Sequence, residues 1–325
     1  MSKQKGKLKL CVYFNRDEYI DREAEKLQAH GDILCGKDKE TGTSWLAYNK
    51  KTRRIAFLTN YRASTPNIPD VGENPPSRGE LIMNWVKTDI SREEYTQDVF
   101  SKLQDYRGFN LIFGIVDDEV FEITPDNAEE LLQDNPRGSY LYHISNGNPE
   151  IVESQKPIFI QPGILYGMSN GNISEWEKVE LGTNLINQSL DDFEALSETQ
   201  SDNDEEEKEP SDAQDSISEH LKLDNYSKHC IDKILCSKQR SYPWNLPETG
   251  KALFFEWLSS SLFVQFKIGK KFCTVSSSVL LISSEDLGLF RERTYAHESG
   301  FLKSFFQEPS LGSQDVVLKF IHENR

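Results

Sequence analysis

Short polar motifs follow several apolar stretches of this 325-residue sequence, and their side chains are of types that bind or activate ligands. Amides, guanidinium groups and carboxylates recur in them. Loops at strand ends often carry functional groups on a rigid scaffold, so we expect these motifs to line one cleft. The residues of the predicted cleft are Asn15, Arg16, Asp17, Glu18, Asn60, Arg62, Arg78, Asn110 and Asn170.

Each motif taken alone also has a structural interpretation. The run 15–18 fits a turn with a local ion pair, and Asn60 or Asn170 fits an Asx-turn. The prediction of a cleft therefore depends on the whole set of motifs rather than on any one of them.

The five cysteines do not have the spacing of a zinc site or of covalent haem attachment. No CxxC pair occurs, and Cys230 with Cys236 beside His229 is the alternative ligand set. We expect free thiols of a cytosolic protein and no metal. The cysteines are Cys11, Cys35, Cys230, Cys236 and Cys273.

The formal net charge of −16 is concentrated in one segment. Ten acidic residues and one lysine lie between Glu198 and Glu219. Because no basic stripe occurs, nucleic acid is not an expected partner. The segment 196–220 is poor in apolar residues, so we predict a disordered acidic insert in a surface loop. An acidic interaction site is the alternative.

Nothing in the sequence predicts a membrane span or a secretory signal. No run approaches the roughly 18 apolar residues that a spanning helix needs. Residues 1–9 are polar and lysine-rich, with no apolar stretch behind them. We expect a cytoplasmic protein with a polar basic tail at 1–7 and a single domain at 8–325.

Hydrophobic patterning predicts an α+β fold with largely antiparallel sheets, because hairpins rather than βαβ units accompany the helices. Ser-x-x-Glu capping boxes predict helix starts at 77–80, 91–94 and 174–177, and further helices are predicted at 226–235 and 250–258. Two sheets face to face, with helices outside, would suit so many apolar strands. The predicted strands are 8–14, 44–49, 55–60, 111–116, 120–123, 140–144, 164–168, 262–267, 272–283 and 289–294.

The polar motifs together resemble the NRDE family, also called the transport and Golgi organization protein 2 family. The resemblance runs from Leu8 to Tyr295, and the order and spacing of the motifs match. The matching motifs are FNRDEY at 14–19, SWLAY at 44–48, LTNYR at 58–62, SRGELI at 77–82, GFNLI at 108–112, YGMSN at 166–170 and FRERTY at 290–295.

The resemblance implies a distant relation to N-terminal nucleophile hydrolases, whose fold is a four-layer αββα sandwich. In that chemistry an N-terminal Cys, Ser or Thr attacks an amide carbonyl, with its own α-amine as the base. By the resemblance, Arg16 and Asp17 would orient the nucleophile. Asn60 and Asn170 would donate hydrogen bonds to the oxyanion.

Two features depart from the family pattern. Family members usually begin Met-Cys at the head of a first strand, whereas 8–14 of this sequence matches the second strand. The family's Thr-Arg-Thr reads Thr-Val-Ser at 274–276. Cys11 lies mid-strand and Ser2 lies in the polar tail, so neither is the expected nucleophile. Either a first exon is absent from this sequence, or the protein is a non-catalytic relative.

The resemblance implies a role in Golgi organization, protein secretion and lipid or haem homeostasis, with an association with the Golgi. We expect binding of a small-molecule or lipid-like ligand in the cleft; the sequence names no protein partner. The alternative is an N-terminal nucleophile amidohydrolase or acyltransferase. No cofactor is required. Haem would be a carried ligand, although no Cys-Pro pair occurs and His143 is the only histidine in a predicted core strand.

Overall fold

The structure is a computed structural model, and it describes residues 8–62, 71–116, 141–201, 212–247, 249, 252–266, 272–296 and 313–322. The chain forms two compact units. The single domain at 8–325 stays a prediction. The first unit consists of Met1–Arg22, Glu180–Asn245 and Phe254–Arg325, and the second of Glu23–Val179 and Leu246–Leu253. The predicted basic tail at 1–7 lies outside the described residues.

Both units contain several strands. In chain order they are β1 (Leu8–Tyr19), β2 (Ala24–His30), β3 (Ile33–Asp38), β4 (Leu46–Asn49), β5 (Arg54–Asn60), β6 (Phe109–Ile115), β7 (Leu141–Ser145), β8 (Ile158–Ile160), β9 (Gln265–Phe266), β10 (Phe272–Ser283), β11 (Leu287–Tyr295) and β12 (Ser313–Ile321).

The helices are shorter, apart from two in the second half of the chain. They are α1 (Gly79–Lys87), α2 (Arg92–Ser101), α3 (Pro149–Ser154), α4 (Glu177–Ser201), α5 (Asp212–His229) and α6 (Leu253–Leu258). A π-helical turn, Cys230–Leu235, continues α5, and 3₁₀ turns occur at Leu103–Asp105 and Pro243–Asn245.

Each unit contains one antiparallel sheet. In the first unit the order is β1-β10-β11-β12, with β9 beside β10. In the second unit β2 to β8 follow one another in sequence order, as a meander. The predicted α+β class with antiparallel sheets is confirmed.

The core of the second unit forms where α1 packs on the sheet. Trp85 of α1 is fully buried, its ring contacts Phe113 edge to face, and its Nε1 donates to Gly114 O over 3.1 Å. The helix begins in close contact with the loop before β4: a Cβ at Gly79 would lie 2.2 Å from Thr43 Oγ1. Only glycine therefore fits at this position of the SRGE motif.

Several predicted elements are confirmed, and others need correction. The capping box at Ser91 is present, since Ser91 Oγ accepts from Glu94 N over 3.1 Å. The box predicted at Ser77 is wrong: α1 has Arg78 as its N-cap with no side-chain cap, and Ser77 Oγ contacts Thr43 Oγ1 instead. Ser174 has a left-handed φ of 57°, so α4 begins only at Glu177.

The strand predicted at 164–168 is wrong, because Ile164 follows a turn at Gly163 and is 54% exposed. β8 occurs earlier and pairs with β7. β2, β3 and β12 were not predicted. The strand predicted at 120–123 lies outside the described residues.

The acidic insert predicted at 196–220 is too wide at both ends. α4 continues to Ser201 and α5 begins at Asp212, while 202–211 lies outside the described residues. The reason is cooperative helix growth from a buried anchor, which extends a helix into a polar segment. Leu223 and Tyr226 of α5 are buried and supply that anchor.

Candidate functional site

The polar motif 15–18 lies inside β1, and not in a loop after the strand as predicted. β1 continues to Tyr19 because β10, also 12 residues long, pairs with it over the whole motif. The partner strand thereby satisfies the backbone groups of the motif. Side chains alternate across a strand, so Asn15 and Asp17 share one face of the sheet.

A β-bulge in β10 brings a hydroxyl to Asp17. The register shifts between Arg16 and Asp17, which leaves Val275 as the extra residue of β10. Thr274 Oγ1 consequently meets the carboxylate and donates to Asp17 Oδ1 over 2.6 Å. The bulged residue is also the position at which the resemblance implied an arginine.

The Asn15 side chain connects three segments of the first unit. Its Nδ2 donates to Leu235 O over 2.9 Å and to Leu262 O over 2.8 Å. Its Oδ1 accepts from Ser277 Oγ over 2.6 Å. Both amide protons are therefore used within the protein, so Asn15 acts by positioning these segments rather than by donating to a ligand.

A chain of hydrogen bonds with one direction runs from Cys236 to Asn15. Because Ser277 Oγ donates its proton to Asn15, it accepts from Tyr295 OH, which lies 2.9 Å away. Tyr295 has then used its own proton, so the Cys236 thiol, 3.2 Å from the phenol oxygen, is the donor in the last contact. Burial and the contact with Cys236 raise the pKa of Tyr295 well above its usual value.

A π-helical turn positions two of these partners. Such turns within helical segments often occur at functional sites. This turn ends at Leu235, whose carbonyl receives Asn15, and the next residue is Cys236. The N–H of Cys236 donates back to Ile231 O over 3.1 Å, which closes the turn.

Arg291 and Arg293 of β11 hold α5 and the π turn on the sheet. Arg291 pairs with Asp224 of α5, and Arg293 pairs with Asp232 of the π turn. Both arginines also contact Asp315 of β12, at 2.6 Å. The hydrogen bonds from Arg293 are the main reason that the pKa of Asp315 is lowered. These contacts give the FRERTY motif a structural role.

The second unit has its own polar cluster, where β5 ends and β6 begins. Asn110 Nδ2 donates to Gly171 O over 2.8 Å and to Thr59 Oγ1 over 3.3 Å. Asn110 Oδ1 therefore accepts a hydrogen bond from His143 Nε2, at 3.2 Å. The neutral histidine accordingly carries its proton on Nε2. Burial lowers the pKa of His143 to about 4. Its Nδ1 is buried and has no hydrogen-bond partner among the described residues.

Two asparagines of this cluster keep unused hydrogen-bonding groups. Asn170 Nδ2 donates to Asn60 O over 2.8 Å, and Arg62 N donates to Asn170 O over 2.6 Å. Within the described residues, the side chain of Asn60 and the side-chain oxygen of Asn170 form no hydrogen bond. Both side chains are half-buried. They are therefore available to a ligand.

The remaining predicted residues have local partners. Arg78 Nη1 donates to Gly108 O over 2.9 Å, which connects the start of α1 to the start of β6. Glu18 lies 3.9 Å from Arg22 and accepts from the backbone N–H that follows it. Arg16 is buried, with 8% of its surface exposed.

Of the predicted cleft, Asn60, Arg62, Asn110 and Asn170 lie together in the second unit. Asn15 and Asp17 lie in the first unit, with β10 beside them.

The chain is similar to a family of named proteins. The profile described as Transport and Golgi organisation 2 matches residues 1–297. The chain belongs to this family. The human Transport and Golgi organization protein 2 homolog is 28% identical over 200 residues, which are 59% of this chain and 62% of the human protein. The mouse Transport and Golgi organization 2 homolog matches to the same extent.

The cattle homolog is 26% identical over 189 residues, covering 56% of this chain and 58% of that protein. The chain thus matches about 60% of the length of these relatives. The resemblance predicted from the ordered polar motifs is confirmed at the level of the family.

The predicted cleft of this Transport and Golgi organisation 2 family member did not include four residues of these clusters: Cys236, Ser277, Tyr295 and His143. A signal existed for Ser277, since three serines at 276–278 interrupt an otherwise apolar strand. Small hydroxyl groups in a buried strand require hydrogen-bond partners. No comparable signal marks Cys236, because its role depends on where the π turn ends.

Proposed function

We propose that this protein binds a small lipid-like ligand through an acyl oxygen and thereby contributes to Golgi organization and protein secretion. The names of its human, mouse and cattle relatives support the cellular part of the proposal. In this proposal the protein is cytoplasmic and associates with the Golgi.

The Asn60 carboxamide and the second N–H of Asn170 Nδ2, whose first N–H is donated to Asn60 O, carry the ligand proposal. A carboxamide N–H is a donor that suits carbonyl and carboxylate oxygens. The two side chains lie next to each other, because Asn170 Nδ2 already bonds the backbone of Asn60. A hydrogen bond between a ligand and a half-buried polar group is stronger than one in bulk water, because the site is partly shielded from water. An acyl carbonyl or carboxylate would therefore bind here.

The proposal also concerns the fold, which we infer to be that of N-terminal nucleophile hydrolases. Two antiparallel sheets with helices, one sheet in each unit, are compatible with the αββα sandwich of N-terminal nucleophile hydrolases. In that architecture the paired asparagines would face the acyl oxygen of the ligand.

Binding without catalysis is favoured by the environments of two thiols in the first unit, Cys11 and Cys236. Burial raises the pKa of Cys11 to about 11, so the thiolate nucleophile does not form near neutral pH. Cys236 is engaged as a donor to Tyr295. Amide or thioester hydrolysis, or acyl transfer, remains the alternative function, and it requires a nucleophile other than these two.

A carried haem would bind this cluster through its propionate carboxylates rather than through His143. The histidine is fully buried, and its Nε2 is used by Asn110. Iron would need an accessible axial ligand. A fatty-acyl ligand needs only the two amides, so we rank it first.

The test is equilibrium binding of a fluorescent long-chain fatty acid to the purified chain. Asn60→Ala should weaken binding about tenfold, which corresponds to the free energy of one lost hydrogen bond. The free energy of unfolding should stay close to wild type, because the Asn60 side chain forms no hydrogen bond within the described residues. Asn84→Ala, on the exposed face of α1, is the matched control. Equal affinity of wild type and Asn60→Ala, or no binding by wild type, would disprove the ligand proposal.

A further inference from the structure

A group of exposed aromatic side chains lies on the first unit, apart from the polar residues described above. Trp244 and Tyr242 are 77% and 61% exposed, and Phe254 and Phe255 are 52% and 38% exposed. We call these four residues the aromatic surface. Large apolar side chains grouped on a protein surface mark a site of interaction.

The contacts of two neighbouring segments make the aromatic surface a single site. Ser241 N donates to Ser260 Oγ over 3.0 Å. The guanidinium group of Arg240 lies over the Trp257 ring, 4.6 Å from its centroid. Trp257 in turn lies beside Phe254, with ring centroids 6.4 Å apart. The segment that carries Tyr242 is thus held against the end of α6.

The exposed rings are arranged before any partner binds. Tyr242 and Trp244 stack with centroids 5.0 Å apart and ring planes 7° apart. α6 has two distinct faces: Glu256 and Leu258 are buried, whereas the two phenylalanines point to solvent. A short helix with its apolar rings outward and its acid inward is the reverse of a core-facing helix.

The charge next to the aromatic surface is positive, although the chain as a whole carries −16. Residues 237–251, which lie in sequence between the π turn and α6, contain three basic residues, Lys238, Arg240 and Lys251, and one acidic residue, Glu248. The one acid of α6, Glu256, is buried. A second copy docked here would bring the same basic segment against this one, and like charges repel, whereas anionic lipid headgroups attract basic side chains.

Tryptophan and tyrosine favour the boundary between lipid headgroups and acyl chains, because each has an apolar ring with one polar group. We propose that the aromatic surface docks the protein on the anionic phospholipid surface of a membrane. The rings would enter the boundary region while Lys238 faces the phosphates. This is peripheral attachment; among the described residues no helix is long and apolar enough to span a bilayer.

The experiment is sedimentation of the full chain with vesicles of phosphatidylcholine alone or mixed with phosphatidylserine. We expect binding to the mixed vesicles that decreases as salt is added. Trp244→Ala/Phe254→Ala should lower the partition coefficient at least about tenfold, since two rings are no longer buried in lipid. Lys238→Gln should lower it about fivefold on the mixed vesicles.

The control variant is Ile217→Ala/Leu221→Ala, which removes two exposed apolar side chains from α5 in the same unit and should bind as wild type does. The proposal is overturned if wild type does not bind mixed vesicles, or if both double variants bind equally. It is also overturned if light scattering shows a wild-type dimer that Trp244→Ala/Phe254→Ala dissociates, because the partner is then a second copy. Fatty-acid binding should be unchanged in the aromatic variant, which separates this proposal from the ligand site.

Discussion

Ser277 Oγ donates a 2.6 Å hydrogen bond to Asn15 Oδ1, and this one contact determines the orientation of the Asn15 carboxamide. With its oxygen facing Ser277, the nitrogen faces the carbonyl groups of Leu235 and Leu262. The first residue of the family's polar motif therefore holds the end of a π turn and the segment before β9 against β10.

Asn15→Asp should destabilise the protein by about 2–4 kcal/mol, because a carboxylate oxygen would replace the donor that faces two backbone carbonyls. The measurement is urea unfolding followed by circular dichroism. Asn187→Asp, exposed on α4 in the same unit, makes the same chemical change and should cost less than about 1 kcal/mol. Equal losses for the two variants would show that the amide of Asn15 has no structural role.

The chain from Cys236 through Tyr295 to Ser277 predicts coupled effects of mutation. Tyr295→Phe removes the acceptor of the thiol and the donor to Ser277, so we expect a loss of about 1–3 kcal/mol. Cys236→Ala should cost less in the Tyr295→Phe background than in wild type, with a coupling energy of about 0.5 kcal/mol or more. Tyr242→Phe, at an exposed position, is the control. Additive losses from Cys236→Ala and Tyr295→Phe would contradict a shared chain of hydrogen bonds.

Much of the fold was predictable from local patterns, because strands and caps depend on near neighbours in the chain. β10 has the predicted bounds, and β4 and β5, which correspond to the strands predicted at 44–49 and 55–60, pair with each other in an antiparallel hairpin. β2 was missed because AEKLQAH lacks a continuous apolar run, and only Leu27 of this edge strand is buried.

The site was predictable in its residue types but not in its geometry. The sequence motifs identify Asn15 and Asp17, yet their placement inside β1 depends on pairing with a strand more than 250 residues later in the chain. The bulge at Val275 and the end of the π turn are likewise consequences of tertiary contact. Local propensity contains no information on either feature.

Acid should destabilise the second unit through His143. Burial lowers the pKa of this histidine from 6.5 to about 4, whereas in the unfolded chain it takes up a proton below about 6.5. Between these values the unfolded state binds more protons, so the stabilisation is complete above pH 6.5 and decreases as the pH falls toward 4. The contribution of this one group to the loss reaches about 3 kcal/mol.

His143→Gln removes the titrating group and keeps an N–H that can donate to Asn110 Oδ1. Both proteins should lose stability between pH 7 and pH 4. We expect the loss of unfolding free energy to be about 3 kcal/mol smaller in the variant than in wild type. Comparing the change with pH, rather than stability at one pH, cancels any packing cost of glutamine. His229→Gln, at an exposed position of α5, should leave the pH dependence as in wild type. If wild type and His143→Gln gave parallel curves, the buried histidine would not be the group that senses acid.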